Sequence, residues 1–412
     1  MQVTVFHPGT QHSWQTALAL QQLGRLDSYR TSIFYQPERW PYRLERILPA
    51  PLARRAAAEF QRFSHPGLDP ALVQTVGLAE WAERIAARAG LHGLAQAIDR
   101  LGNRQFVRHL AGSIRSARPF ALWGFNGSSL NSFELAKQAG RTCILDRTIG
   151  DFRRYNGLMD QIAETHADWF TKADRKFPDD QIERDQQEYD LADVILTGSE
   201  FCAATVRDWG GAGIAGKVRV LPYCFDEALF AQAPSPLPIA RNAPMKFLFI
   251  GQINPRKGVH HLLEAFAQIP ASAAQLTMVG ELRVPPQTFA PFADRVTYIP
   301  TVARAAIPAI MADHHVLVFP SYFEGSALSL IEALASGMGI IQTRAAGNGA
   351  TAASGIMLAE PSTAGLLDAL WAAIDDPARV DGWRLAARQE AQHYSFARYR
   401  QNIADMLPEI GL

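Results

Sequence analysis

Cysteine is scarce, lysine nearly as scarce, and long apolar runs are missing altogether. The three cysteines of this 412-residue chain, Cys143, Cys202 and Cys224, form no C-x-x-C pair and have no metal-ligand spacing. A disulfide framework is therefore excluded, and they read as core thiols in a reducing compartment. No stretch approaches the roughly 20 apolar residues of a membrane span. The opening MQVTVFHPGT is strand-like, with neither a basic segment nor a long apolar core. No secretory signal is expected, and the location that follows is cytoplasmic. Internal repeats of about 20 to 50 residues and low-complexity tracts are also absent. Only six lysines occur, so basic character rests on arginine.

What is present describes an ordinary soluble protein, with 48% hydrophobic and 19% charged residues, long enough for two hydrophobic cores. The formal net charge of zero hides an asymmetry: residues 1–150 hold 17 Arg and one Lys against 10 acids. Either this half meets something anionic, such as lipid head groups, a polyanion or a phosphorylated substrate, or the composition simply favours arginine.

Strand-like runs alternate with helical patterns throughout, the signature of an α/β parallel sheet. In the first half they are VTVFHPG (3–9), SIFYQ (32–36), FALWGFNG (120–127), CILDRT (143–148), VILTGSE (194–200) and VRVLPYC (218–224). The proline-rich AQAPSPLPIARNAP (231–244) reads as a linker,. The alternation then restarts with FLFIG (247–251), LTMVGE (276–281), VTYIP (296–300), VLVFP (316–320) and GIIQT (339–343). The expected organisation is a first doubly wound domain over 1–225, a linker over 226–244, a second over 245–392, and a C-terminal helix over 393–412 with the first domain as a candidate packing surface. Open α/β sheets bind ligands beyond the carboxyl ends of their strands, so two facing sheets predict a cleft between domains.

Two stretches of the second half carry chemistry. FIGQINPRKGVHHLLEAF (249–266) is a strand, a loop with Gly251 and Gly258, and a helix, and its loop presents Arg256 and Lys257 together. Adjacent cations at a strand's carboxyl end suit a diphosphate, Arg by forked hydrogen bonds and Lys as a point charge. In PSYFEGSALSLIEALASG (320–337), Ser326 is the expected cap of a helix ending at Gly337,. The N–H groups around Gly325, Ser326, Ala327 and Leu328 would make an anion site. Glu324 beside them is poorly placed for a phosphate and better suited to sugar hydroxyls, while Glu332 follows eight residues later.

The strand, PSxxEG, the E-x7-E spacing, the Ala-Leu-Ala-Ser-Gly run and the earlier RKG loop together resemble the donor site of family 4 retaining glycosyltransferases of the GT-B fold. The resemblance implies two facing Rossmann-like domains and transfer of a sugar from a UDP-, GDP- or ADP-sugar to an acceptor hydroxyl, with retention of configuration, in polysaccharide, glycolipid or glycoconjugate synthesis. It also implies that Glu324 contacts the donor sugar, that Glu332 holds the ribose hydroxyls, and that Arg256 and Lys257 grip the diphosphate. No cofactor and no metal are implied, and no D-x-D triplet occurs to hold one. HPGTQHSW (7–14) resembles the family's first loop, where Gly9 would admit the donor phosphates, and EYDLADVILTGSEF (188–201) its last N-domain strand. Where many members carry an Arg after the first glycine of the second domain, this chain has Gln252.

Where members end an N-domain strand on a catalytic-site His, this chain reads CILDRTIGD. His12, Asp146, Arg147 and Asp151 are the acceptor-side candidates. The acceptor is expected to be a sugar, a lipid-linked molecule or another small molecule, not a nucleic acid. RLERILPAPLARRAAAEFQRF (43–63) is basic and amphipathic, read either as a surface helix or as a peripheral contact with anionic membrane. Base recognition is expected from backbone around Tyr298–Thr301. A nucleotide-sugar epimerase, a sugar-phosphate synthase and a non-catalytic nucleotide-sugar binder stay open as alternatives.

Overall fold

Continuous apolar runs that are buried on both faces build two parallel sheets. The computed structural model describes residues 1–9, 12–40, 42–43, 48–50, 53, 60, 63, 65, 67–75, 107–172, 174, 176–231, 236–240 and 243–412. The basic amphipathic stretch 43–63 and the linker 231–244 fall partly outside them. The first sheet holds β1 (Gln2–His7), β2 (Leu26–Thr31), β3 (Val73–Thr75), β4 (Phe120–Phe125), β5 (Cys143–Arg147), β6 (Val194–Thr197) and β7 (Val218–Val220), in the order β3-β2-β1-β4-β5-β6-β7. β1 pairs in parallel with both β2 and β4. The chain reverses its direction of sheet growth there, which opens a crevice at their carboxyl ends.

The second sheet comprises β8 (Met245–Ile250), β9 (Ala274–Val279), β10 (Val296–Ile299), β11 (Val316–Phe319), β12 (Gly339–Thr343) and β13 (Gly355–Leu358). Its order is β10-β9-β8-β11-β12-β13, and its switch point lies between β8 and β11, which pair in parallel. Helix Val259–Phe266 lays Val259, Leu262, Leu263 and Phe266 on the core, the i, i+3, i+4, i+7 stripe of a helix packed on a sheet.

By contact density the chain divides into two units, one of Met1–Asp146, Glu183–Ile195 and Arg400–Leu412, the other of Arg147–Ile182 and Leu196–Tyr399. In the first unit the C-terminal segment donates from Arg400 to Gln22. Among the described residues no helix is long and apolar enough to cross a membrane.

Three local expectations differ from the structure. SIFYQ is not a strand: the preceding LDSYRT forms β2, because its backbone pairs with β1, while Ile33 packs in a small loop cluster with Tyr42 and Phe63. The edge strands β3 and β13 were not expected.

Candidate active site

The loop after β8 is shaped by three local devices. Asn254 caps the short turn Pro255–Lys257, its side chain accepting from Lys257 N at 3.2 Å. Gly258 adopts left-handed φ 67°, and a Cβ there would lie 2.0 Å from the Pro320 carbonyl oxygen, so only glycine fits. Tyr322 N then donates to Arg256 O at 2.9 Å. The loops after neighbouring strands β8 and β11 are thereby fastened together.

That fastening brings Arg256, Lys257 and Glu324 into one cluster. Glu324 Oε1 accepts from Arg256 Nη1, Lys257 Nζ and Ser321 Oγ, each at 2.6 Å. Lys257 Nζ also stands 4.4 Å from the centroid of the Phe319 ring, a cation–π contact. Burial opposes charge on Glu324, but Arg256 and Lys257 outweigh it and hold the carboxyl below its ordinary pKa. Burial lowers the Lys257 ammonium to about 8, Glu324 pulling it up and Arg256 pushing it down,. Two cations against one carboxylate leave a net positive hollow.

Beside it begins helix Leu328–Ser336. Its N-cap is Ala327, without a side-chain cap, and Ser326, the expected cap, sits one residue earlier with its Oγ buried and unbonded. The expectation that the Ala327 N–H faces an anion is corrected: it donates to Ala346 O at 3.1 Å. Gly325 is pressed on backbone, since a Cβ there would lie 1.9 Å from Thr148 O. Ser199 Oγ donates to Gly325 O, and Asn348 Nδ2 to Gly198 O at 2.7 Å. Thr148–Gly150, Gly198–Ser199 and Gly347–Asn348 thus wall the helix mouth within the second unit.

Glu332, further along this helix, is 5% exposed and accepts from Arg304 Nη2 at 2.6 Å. Burial raises its pKa against the pull of Arg304. At the β8 carboxyl end Gly251 has φ 154°, and at the end of β10 the Tyr298 hydroxyl donates to Gly280 O at 3.1 Å.

In the first unit, the β1 loop turns tightly on His7, whose Nδ1 accepts from Gly9 N at 2.7 Å. Burial holds this imidazole at about 4, so it is neutral and able to accept. A Cβ on Gly9 would meet the His7 ring at 2.6 Å; Thr10 and Gln11 of this loop lie outside the described residues. His12 Nε2 stands 3.8 Å from Asp146 Oδ1, and Trp123 Nε1 donates to Asp146 Oδ2 at 3.4 Å.

The other two acceptor-side candidates have partners on the turn after β5. Arg147 donates to Ile149 O and Gly150 O at 2.7 and 2.8 Å and lies over the Phe152 ring. Asp151 caps helix Phe152–His166 through Arg153 N and pairs with the Arg153 guanidinium. Both are engaged in holding the chain turn after β5. Residues absent from the expected site are Ser321, Arg304, Asn254 and His7. Ser321, Asn254 and His7 lie within three residues of Glu324, Lys257 and Gly9, close enough in sequence to suggest a partnership, whereas Arg304 is 28 residues from Glu332.

Residues 244–376 match the family described as glycosyl transferases group 1. A D-inositol 3-phosphate glycosyltransferase of Kineococcus radiotolerans is 27% identical over 285 residues, 58% of this chain and 64% of that protein. The O-antigen chain mannosyltransferase B of Escherichia coli is 23% identical over 223 residues, 50% of this chain and 58% of that protein. The alignments thus span less than two thirds of these relatives' length. Among solved structures, Anabaena Alr3699/HepE in complex with UDP has TM-score 0.62 at 15% identity, covering 99% of this chain and 100% of that one. Sucrose-phosphate synthase from Thermosynechococcus elongatus has TM-score 0.63 at 18% identity, covering 100% and 99%. These likenesses are of fold, that of two Rossmann-like GT-B domains. The family match takes in β8, the Arg256–Lys257 loop and both glutamates, so over that stretch the chain is similar to the glycosyl transferases of group 1.

Proposed function

We propose that this protein transfers a sugar from a nucleotide diphosphate sugar to an acceptor hydroxyl, with retention of anomeric configuration and without a divalent metal. The observation that carries the reading is the convergence of Arg256 and Lys257 on Glu324 at the mouth of helix Leu328–Ser336. Arg has five N–H donors and Lys three, so Glu324 does not exhaust them, and a diphosphate would take those that remain. As the bond from the anomeric carbon to the phosphate oxygen breaks, its electron pair stays on the phosphate, where these fixed cations stabilise it. The acceptor oxygen bonds to the anomeric carbon from the same face, and its proton passes to a phosphate oxygen.

Glu324 is a poor nucleophile because three donors hold one of its oxygens, which favours this route over a covalent intermediate. Its role is to accept from donor-sugar hydroxyls. Glu332 would accept from the ribose, with Gly251, Gly325, Ser326 and Leu328 presenting backbone to the phosphates. His12 and Asp146 are assigned to the acceptor side. The basic residues 1–150 suit a phosphorylated or lipid-linked acceptor,, in line with the inositol 3-phosphate in one relative's name. The assigned location is cytoplasmic, with peripheral contact at an anionic membrane.

A thermal-shift panel of UDP, GDP, ADP and their sugars tests donor binding, since a ligand at 100 times its Kd adds about 2.7 kcal/mol of stability. UDP leads the panel, being the nucleotide bound in a structure of similar fold. Donor turnover should vanish in Glu324→Ala and Lys257→Ala. After chelator treatment it should not rise when Mg²⁺ or Mn²⁺ is returned. No shift with any nucleotide, or full turnover in both variants, would overturn the reading.

A further inference from the structure

Three histidines away from the proposed donor site stand together in the second unit. His166 ends helix Phe152–His166, and His260 and His261 open helix Val259–Phe266. Their ring centroids are 4.3 Å (His166–His260), 4.3 Å (His260–His261) and 5.2 Å (His166–His261) apart. One ring nitrogen from each lies within 4.8 Å of the other two. From the geometry and hydrogen bonding of this cluster we propose that it is a binding site for a late first-row transition ion, Zn²⁺ foremost, with three imidazole ligands and a fourth position open to water.

The hydrogen bonds say where the lone pairs are. Thr363 Oγ1 donates to Glu264 at 2.7 Å, so it accepts from His261 Nδ1 at 2.8 Å. His261 Nε2 therefore carries the lone pair, met by the Tyr322 hydroxyl at 2.7 Å. That hydroxyl has one proton, so it accepts from His260 Nε2 at 3.4 Å, leaving the lone pair of His260 on Nδ1. This atom has no hydrogen-bond partner, in a residue that is 0% exposed. Likewise Thr165 Oγ1 donates to Ile162 O and accepts from His166 Nδ1 at 2.7 Å, which frees His166 Nε2 for a ligand.

Neutral imidazole is the form that binds metal, and each ring here has one nitrogen hydrogen-bonded to a hydroxyl, which leaves the other for a ligand. The His261–Thr363–Glu264 chain orients the ring as an outer-shell partner of a metal ligand does. Three nitrogens about 2.0–2.1 Å from a tetrahedral ion require the rings to draw in from their present separation. His166 and His261 are partly exposed, which provides an entry path. An ion taking the His261 lone pair would release the Tyr322 hydroxyl, in the same loop as Glu324.

The test is Zn²⁺ and Co²⁺ titration of tag-free protein stripped with chelator, read by Co²⁺ visible bands, competition with a chelating dye and melting temperature. One equivalent should bind with micromolar or tighter Kd and raise the melting temperature. His166→Gln, at a partly exposed position, should weaken binding at least about tenfold with little effect on the metal-free melting temperature. Should His260→Gln fail to fold, His261→Gln serves as the second variant. No saturable binding below about 100 µM, or equal affinity in wild type and His166→Gln, would overturn the proposal. Since nothing here measures turnover, failure of the transferase reading would leave the result intact.

Discussion

Lys257 offers the sharpest test of the proposed donor site, because burial holds its ammonium at about 8 while a bound diphosphate would return it toward its ordinary value of about 10.4. At about pH 9 only one Lys257 in roughly eleven is charged in the free protein, so charging it on binding weakens donor affinity about tenfold relative to pH 7, or about 1.4 kcal/mol. Calorimetry of the selected nucleotide sugar, whose esterified diphosphate does not titrate in this range, reads the affinity. Two buffers of different ionisation enthalpy read the proton count. Uptake should be close to one proton at about pH 9 and about a quarter at pH 7.5. Lys257→Arg should bind with no such slope, since a guanidinium stays charged. The stability sign is opposite to the binding sign. A base whose folded pKa lies below its unfolded one destabilises the fold fully below about pH 8 and is relieved as pH rises toward 10.4, because the unfolded chain then holds more protons. Flat affinity without proton uptake, or a slope that persists in Lys257→Arg, would refute the argument.

Glu324→Gln removes the counter-charge of two buried cations and should cost about 3 kcal/mol in urea unfolding near pH 7; binding of the bare nucleoside diphosphate should survive while sugar turnover falls at least about 100-fold, and equal losses in both would contradict the assigned role. Glu332→Gln should raise the melting temperature at neutral pH, because burial lifts this carboxyl's pKa and so penalises its charged form; that penalty fades as pH falls through the folded pKa, and the gain with it. The same variant should weaken nucleotide affinity about tenfold. Gly258→Ala meets both a left-handed φ and the Pro320 carbonyl, so a loss of about 3 kcal/mol is expected, and a variant of wild-type stability would show that the β8 and β11 loops part easily.

Strands such as FALWGF and VLVFP were legible because parallel strands covered on both faces must be apolar along their length. β2 was not, because LDSYRT satisfies polar groups inside the sheet: Thr4 donates to Asp27 at 2.9 Å, and Arg30 to His109 O at 3.0 Å. β3 and β13 are edge strands that are partly exposed along their length, so burial on both faces does not demand an unbroken apolar run of them. The expected cap at Ser326 failed for a different reason. The turn before the helix is set by contacts with Gly347 and Thr148, which no local preference encodes.

The same distinction runs through the site itself. Arg256, Lys257 and Glu324 were legible as residue types at strand ends, but their mutual bonding was not, since it spans 68 residues and depends on Gly258 admitting the Pro320 carbonyl. That bonding changes what Glu324 means. Two cations buried side by side without a substrate would repel each other and pay for lost hydration, so a carboxylate among them is needed to keep the hollow folded. A diphosphate arriving there replaces Glu324 as the counter-ion and leaves its oxygens to the sugar hydroxyls. One carboxylate then stabilises the resting protein and orients the donor, which is why its removal should separate phosphate binding from turnover.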